Sequence, residues 1–115
     1  MILKAKNATK YSEETPMDGK GIVHFDNLNH FTPPAENLIT FSIATLGKGS
    51  EVGYHLHDED IEIYYILSGK AVYNDDGEEA CLSAGDVTYT PVGSSHAIKN
   101  VEDEDLVFMV IILKP

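Results

Sequence analysis

The chain alternates between short apolar segments and polar turns, and this alternation limits its fold more than any other feature. No segment longer than about ten residues shows the 3.6-residue period of an amphipathic helix. Segments rich in β-branched and aromatic residues recur instead, roughly every 8–12 residues, with glycine, proline or acidic turns between them. The pattern predicts an all-β antiparallel fold, a sandwich or a barrel, with little helix.

The positions of the strands follow from period-2 alternation and from the turn residues that bound each segment. The predicted strands are 22–26, 38–46, 52–57, 61–68, 70–73, 79–82, 86–90, 95–100 and 106–113. Residues 74–77 (Asn-Asp-Asp-Gly) predict a hairpin turn. Residues 2–3 are expected to pair as an edge strand, and residues 11–21 to form a loop. Strand 61–68 is apolar on both faces and is expected to be covered on both sides.

The length of 115 residues predicts one domain with a substantial core. Within it, residues 38–115 are expected to form the barrel. Residues 1–37 are expected to supply strands and loop that pack on this barrel or on a dimer partner. No apolar run approaches the roughly 18 residues of a membrane span, and the first residues lack the pattern of a signal peptide. We therefore expect a cytoplasmic protein.

The charge of the chain argues against two classes of partner. A net charge of -11 repels nucleic acid backbones and anionic membrane surfaces. The acidic runs 58–60, 75–79 and 102–105 are interpreted as solvated turns. All eight basic residues are lysines, so one chain has no guanidinium with which to clamp a carboxylate or phosphate.

Cys81 is the only cysteine, which excludes an intrachain disulfide, and it is expected to be half-buried in a strand.

Three histidines and a glutamate predict a metal site. His55 and His57 are two residues apart in a predicted strand, so both imidazoles point to the same side. Glu62 opens the next strand, and His96 follows a Pro-Gly turn. This ligand set suits Mn, Fe, Ni or Zn and leaves about two coordination positions open. The alternative to a metal site is that histidines lie on the surface beside an acidic loop. We expect surface positions for His24 and His30, because neither has a second ligand residue at a suitable spacing.

Two sequence blocks resemble the conserved motifs of the cupin superfamily. The first is Gly49, five residues, His55, one residue, His57, four residues, Glu62, six residues, Gly69. The second is Gly85, five residues, Pro91, one residue, Gly93, two residues, His96, three residues, Asn100. The short interval between the blocks is similar to that of small bacterial single-domain cupins, of the type likened to oxalate decarboxylases or mannose-6-phosphate isomerases.

The resemblance implies a double-stranded β-helix, a jelly-roll barrel with the metal inside. It also implies that His55, His57, Glu62 and His96 are the ligands, and that Asn100 is structural. Gly49, Gly69, Gly85, Pro91 and Gly93 would form turns. Such cupins commonly form homodimers, for which the outer face of Ile63, Tyr65 and Leu67 is a candidate; this face could equally pack under the chain's own N-terminal segment.

The reaction is not implied by the fold. We expect a metal-dependent enzyme acting on a small anionic or enolisable substrate, as an oxygenase, decarboxylase or isomerase. The alternative is a non-catalytic cupin that binds or senses a small molecule. Tyr64, Ile66 and Ile98 share strand faces with the predicted ligands and are expected to line the substrate pocket. The absence of arginine counts against an oxalate decarboxylase proper, where the family pattern has an arginine that holds the dicarboxylate.

Overall fold

Ten antiparallel strands form two sheets that enclose one hydrophobic core. The computed structural model describes all 115 residues. Its strands are β1 (Thr9–Glu14), β2 (Ile22–Asn27), β3 (Leu38–Leu46), β4 (Glu51–His57), β5 (Ile61–Ser68), β6 (Lys70–Asp75), β7 (Glu78–Ser83), β8 (Val87–Thr90), β9 (Ser94–Lys99) and β10 (Leu106–Leu113). One sheet has the order β1-β2-β3-β10-β5-β8 and the other β4-β9-β6-β7. The predicted all-β fold is confirmed, and the only helices are two short 3-10 turns, Ala5–Asn7 and Pro16–Asp18.

The core lies between the sheets because inward side chains alternate with outward ones along each strand. On β10, Phe108 and Val110 are buried, and β10 pairs with both β3 and β5. From the facing sheet, Val52, Tyr73 and Ile98 complete the same cluster. Inward positions near one end of this core are occupied by polar residues instead, and these form the site described below.

The N-terminal region differs from its prediction. Residues 2–3 lie outside any strand, and Ile2 is largely exposed. The edge strand is β1, whose residues 11–14 were expected in a loop. Every residue of β1 is exposed and the strand pairs only with β2, so it has no apolar alternation by which the sequence could reveal it. β2 in turn pairs with β3, so this segment extends the larger sheet.

Within the single chain, only the inner face of β5 is covered, and the N-terminal segment does not supply the expected second layer. Tyr65 and Leu67 are 44% and 41% exposed, whereas Tyr64 and Ile66 on the opposite face are buried. The N-terminal strands lie beside β3, on the far side of β10 from β5, and therefore leave this outer face open. Cys81 was also expected to be half-buried but is exposed, because β7 is the edge strand of the smaller sheet.

Two turns show why the sequence requires glycine where it does. In the hairpin between β6 and β7, Asp76 and Gly77 both have positive φ angles, 51° and 104°, as a type I′ turn demands. Gly69, between β5 and β6, has φ 84°, and a Cβ there would lie 2.5 Å from the carbonyl oxygen of Asp105.

No helix of the structure is long and apolar enough to cross a membrane.

Candidate metal centre

The structure brings the four predicted ligand residues together from both sheets. His55 and His57 lie on β4, and His96 lies on β9 directly opposite His55. Glu62 comes from β5 in the facing sheet. Their nearest ligand atoms all lie within 4.8 Å of one another. The three Nε2 atoms are separated by 3.0, 3.1 and 3.2 Å, and Glu62 Oε1 lies 2.7 Å from that of His96.

Each imidazole is oriented by a partner on its other ring nitrogen. His55 Nδ1 lies 2.7 Å from the carbonyl oxygen of Gly53, and His57 Nδ1 lies 2.6 Å from a carboxylate oxygen of Asp60. Both oxygens only accept, so each Nδ1 carries a hydrogen and donates it. In the neutral ring, the Nε2 lone pair then faces the centre of the cluster, which is the arrangement of metal-binding histidines.

The third imidazole lies in a buried hydroxyl network. His96 Nδ1 lies 2.7 Å from the Tyr73 hydroxyl and 3.0 Å from Thr90 Oγ1, and His96 has no exposed surface. Tyr64 stacks on the ring, with 5.0 Å between the centroids. These contacts fix the ring plane, so His96 Nε2 points at the same position as the other two.

The donor set fits a divalent transition metal. Glu62 Oε1 is buried, and its neighbours within hydrogen-bond distance include the Nε2 atoms of His57 and His96, at 3.0 and 2.7 Å. A carboxylate oxygen among three imidazole lone pairs needs a cation, which can be a proton or a metal ion. Three nitrogen ligands and one oxygen ligand suit divalent first-row metals such as Mn, Fe, Ni and Zn. His55, His57, Glu62 and His96 could therefore hold one metal ion.

The protonation of the metal-free centre shows the same need for positive charge. The pKa of His57 is raised to about 9, mainly by contact with Glu62 and in part by Asp60, against the opposing effect of burial. Burial alone would raise the pKa of Glu62, but contacts with His57 and His96 lower it to about 2. Burial lowers the pKa of His55. A proton on His57 thus occupies the place that a metal ion would take.

A cavity of about 160 Å³ opens beside the cluster. His55 and Glu62 form part of its wall, so anything bound in it touches the candidate metal centre. Of the predicted pocket residues, Tyr64 lines the cavity, whereas Ile66 and Ile98 are fully buried core residues away from it. Burial, and then the charge of Glu62, raise the pKa of Tyr64 well above its usual value, so its hydroxyl remains a donor at neutral pH.

Several residues of the site were not predicted. Asp60 was interpreted as part of a solvated turn, but it is half-buried and bonds His57; its position three residues after His57 is the only sequence signal. Tyr73 and Thr90 come from β6 and β8 and carry no local signal. Tyr11 and Glu13, on the edge strand β1, line the cavity together with Phe108 and Val110 from β10.

The remaining motif residues and histidines lie where their contacts are structural. Gly49, Gly85 and Gly93 adopt positive φ angles, and Pro91 directly precedes the turn into β9. The buried Asn100 donates from Nδ2 to the carbonyl oxygens of Leu46 and Glu104 and accepts from the Glu102 amide. His24 and His30 bond Ser12 and Thr9 in exposed positions outside the cluster.

Comparison with known proteins identifies the family. Residues 42–112 match the model of the cupin domain family. An oxalate-binding protein of Thermotoga maritima is 34% identical over 113 residues, which cover 98% of this chain and 93% of that protein. The oxalate decarboxylase OxdC of Bacillus subtilis is 31% identical over 105 residues, which cover 86% of this chain and 27% of the larger enzyme.

Solved structures agree with this assignment. The crystal structure of a predicted oxalate decarboxylase from Thermotoga maritima has a TM-score of 0.93 and 34% identity, and each chain is covered completely. A sugar phosphate isomerase of the cupin superfamily from Silicibacter pomeroyi has a TM-score of 0.81 at 21% identity, covering 100% of this chain and 76% of that one; it supports the fold alone. The chain belongs to the cupin family, and its fold is a double-stranded β-helix.

Proposed function

We propose that this protein binds one divalent transition metal, Mn, Fe, Ni or Zn, through His55, His57, Glu62 and His96, and acts as an enzyme on a small molecule held beside it. The convergence of three Nε2 atoms and the buried Glu62 Oε1 on one position carries the proposal. When bound, such a metal supplies Lewis acidity, or an O₂ site if it is iron.

The residues of the cavity supply the remaining chemistry. A substrate with oxygen donors would lie between the centre and the cavity walls, in contact with His55 and Glu62. Tyr64 can donate a hydrogen bond to it, because the residue lines the cavity and its hydroxyl stays protonated at neutral pH. Buried core residues such as Phe108 and Val110 form part of the wall, and this apolar surrounding strengthens polar contacts beside it.

A non-catalytic binding protein is the second candidate function, and the name of the Thermotoga relative favours it. In that case the same centre would capture a small oxygen-chelating ligand without converting it. Oxalate, which that name mentions, belongs in the first panel of ligands to be tested. Enzyme and binding protein share the metal centre and differ only in turnover.

Metal analysis of the purified protein tests the shared part of both candidates. We expect close to one Mn, Fe, Ni or Zn ion per chain by inductively coupled plasma mass spectrometry, before or after incubation with metal. O₂ consumption and product analysis with chelating substrates then separate turnover from binding alone. A protein that contains no metal and takes up none would contradict the proposal.

We further propose that the protein forms a homodimer through the outer face of the larger sheet. Apolar residues adjoin there across four strands: Tyr65 lies opposite Met109 and Val87, and Met109 lies opposite Ile43. Tyr65, Val87 and Tyr89 are 44%, 59% and 56% exposed in the single chain. A continuous apolar face of this kind is typical of an interaction surface.

A further inference from the structure

We infer that the cavity selects a ligand with an oxygen-chelating head and an uncharged, apolar tail, and that Glu13 rejects ligands with a second negative charge. The inference rests on the proposed function, since the head is taken to bind at the metal centre. It adds the chemical class of the ligand and a residue that determines specificity.

The shape of the site separates a head position from a tail position. His55, Glu62 and Tyr64 form the polar end of the cavity. The wall as a whole is mainly hydrophobic: nine of the fourteen lining residues are of this type, with Tyr64 counted among them. Phe108, Val110 and Val23 are at most 5% exposed and belong to the packed core, so this wall is rigid.

The cavity is large enough for a small head and a tail of a few carbons. The volume of the whole cavity is about 160 Å³, and an apolar cavity of about 150 Å³ is sufficient to hold benzene. A charged tail placed against Phe25 or Phe108 would lose its hydration without gaining hydrogen bonds. The wall therefore favours an apolar tail over a polar one of equal size.

The charges on the cavity wall also favour an uncharged tail. Glu13 and Glu62 are the charged residues that line the cavity, and none of the eight lysines does. The nearest lysine in sequence, Lys10, pairs with Asp26 at 2.9 Å. A divalent metal, Glu62 and a monoanionic head sum to zero charge. Glu13 then remains as an unpaired negative charge facing the tail.

Backbone geometry explains why Glu13 faces the cavity. On β1, Glu13 lies two residues from Tyr11 and so shares its face. Tyr11 stacks on Phe25 with 4.9 Å between the ring centroids, and both rings line the cavity. Glu14 points to the opposite side of β1 and does not line the cavity, which makes it a matched control.

Three 2-oxo acids with the same chelating head separate the effect of the tail from that of the metal. Pyruvate has a methyl tail, 4-methyl-2-oxopentanoate has a branched apolar tail, and 2-oxoglutarate has a carboxylate tail. Protein loaded with Mn²⁺ is titrated with each compound and with oxalate by isothermal calorimetry. Each buried CH₂ is worth about fourfold in affinity, so we expect 4-methyl-2-oxopentanoate to bind at least tenfold tighter than pyruvate, and 2-oxoglutarate weaker than pyruvate.

Variants of the two neighbouring glutamates test the role of Glu13. Glu13→Gln is expected to raise the affinity for 2-oxoglutarate several-fold and Glu13→Lys to raise it more, with 4-methyl-2-oxopentanoate changed less than twofold. Glu14→Gln, with the same change of charge, should leave all affinities unchanged. Both effects should shrink in high salt, because Glu13 is partly solvated.

The outcomes of these experiments distinguish a failure of this inference from a failure of the proposed function. Wild-type protein that takes up Mn²⁺ but binds oxalate or 2-oxoglutarate at least as tightly as 4-methyl-2-oxopentanoate would overturn the inference and leave the metal centre standing. Equal effects of the Glu13 and Glu14 variants would overturn the role of Glu13. Failure to take up any of Mn²⁺, Fe²⁺, Ni²⁺ and Zn²⁺ would overturn the proposed function itself, and with it the inference.

Discussion

The two faces of β5 have similar compositions and opposite environments. The inner face carries Glu62, Tyr64 and Ile66, all at most 4% exposed, and contributes a ligand, a cavity wall and a core residue. The outer face carries Ile63, Tyr65 and Leu67, of which the last two are more than 40% exposed. A charged residue is therefore buried where a tyrosine and a leucine on the same strand are not.

The comparison shows that the neighbours of a side chain, and not its hydrophobicity alone, decide whether it is buried on this strand. Glu62 can be buried because His57 and His96 surround it and because a metal ion could satisfy its oxygen. Tyr65 and Leu67 are exposed because the chain has no further layer to cover them. We propose that the inner face depends on a metal ion and the outer face on a second chain.

Removal of a ligand from the inner face should have the largest effect. We expect Glu62→Ala or His57→Ala to abolish Mn²⁺ binding, because the remaining residues form an incomplete ligand shell. At a metal concentration of about 1,000 times Kd, bound metal stabilises a protein by about 4 kcal/mol. The variants should therefore lose roughly 10 °C or more of metal-dependent Tm in differential scanning calorimetry.

A histidine outside the cluster is the control for this experiment. His24→Ala removes an exposed imidazole that bonds only Ser12 and should leave metal content and Tm unchanged. Unaltered metal content in the Glu62 and His57 variants would disprove the assignment of the centre.

The hydrogen bond behind His57 should have the next largest effect. Asp60→Ala leaves His57 Nδ1 without its acceptor, and loss of such an outer partner typically lowers metal affinity about 10–100-fold. Asp58→Ala removes the same charge from an exposed side chain two residues away and serves as the control. Equal losses of Mn²⁺ affinity in both variants would point to bulk charge rather than to the orientation of the imidazole.

Acidification should weaken metal binding through the same residue. The pKa of His57 is raised to about 9 in the metal-free protein, chiefly by Glu62, so below pH 9 the ring carries a proton that the metal must displace. Mn²⁺ affinity should rise with pH up to about 9 and fall by about tenfold per unit below it. Calorimetric titrations in buffers of different ionisation enthalpy should show about one proton released per ion at pH 7; no release would contradict this protonation state.

A change on the outer face should affect assembly and leave the metal centre intact. Tyr65→Lys places a charge in the middle of the apolar face, so we expect dimers to dissociate to monomers in light scattering after size exclusion. Metal affinity should change less than twofold. Tyr54→Lys, at a similarly exposed tyrosine on the smaller sheet, is the control and should remain dimeric. A wild-type protein that is monomeric at micromolar concentration would rule out the proposed interface.

Errors in the sequence-based prediction concentrate where side chains have no local pattern. β1 was predicted as loop because a solvated edge strand such as Thr9–Glu14 has no buried face to enforce alternation. The N-terminal segment does not cover the outer face of β5, because apolar residues show that a face needs a partner but not what supplies it. Ile66 and Ile98 were assigned to the pocket only because alternate residues of a strand share one face. This alternation does not show how far along the barrel the cavity extends.

The sequence by itself determined the strands of the barrel, the turns and the four candidate ligands. Strand alternation and fixed motif spacing are local properties, so they can be read without knowing which strands are neighbours. Only the tertiary structure decided that Tyr73 and Thr90 orient His96, that Glu13 faces the cavity, and that Tyr65 remains uncovered. These features depend on pairing and on the facing of two sheets, which are set by long-range packing of the whole chain.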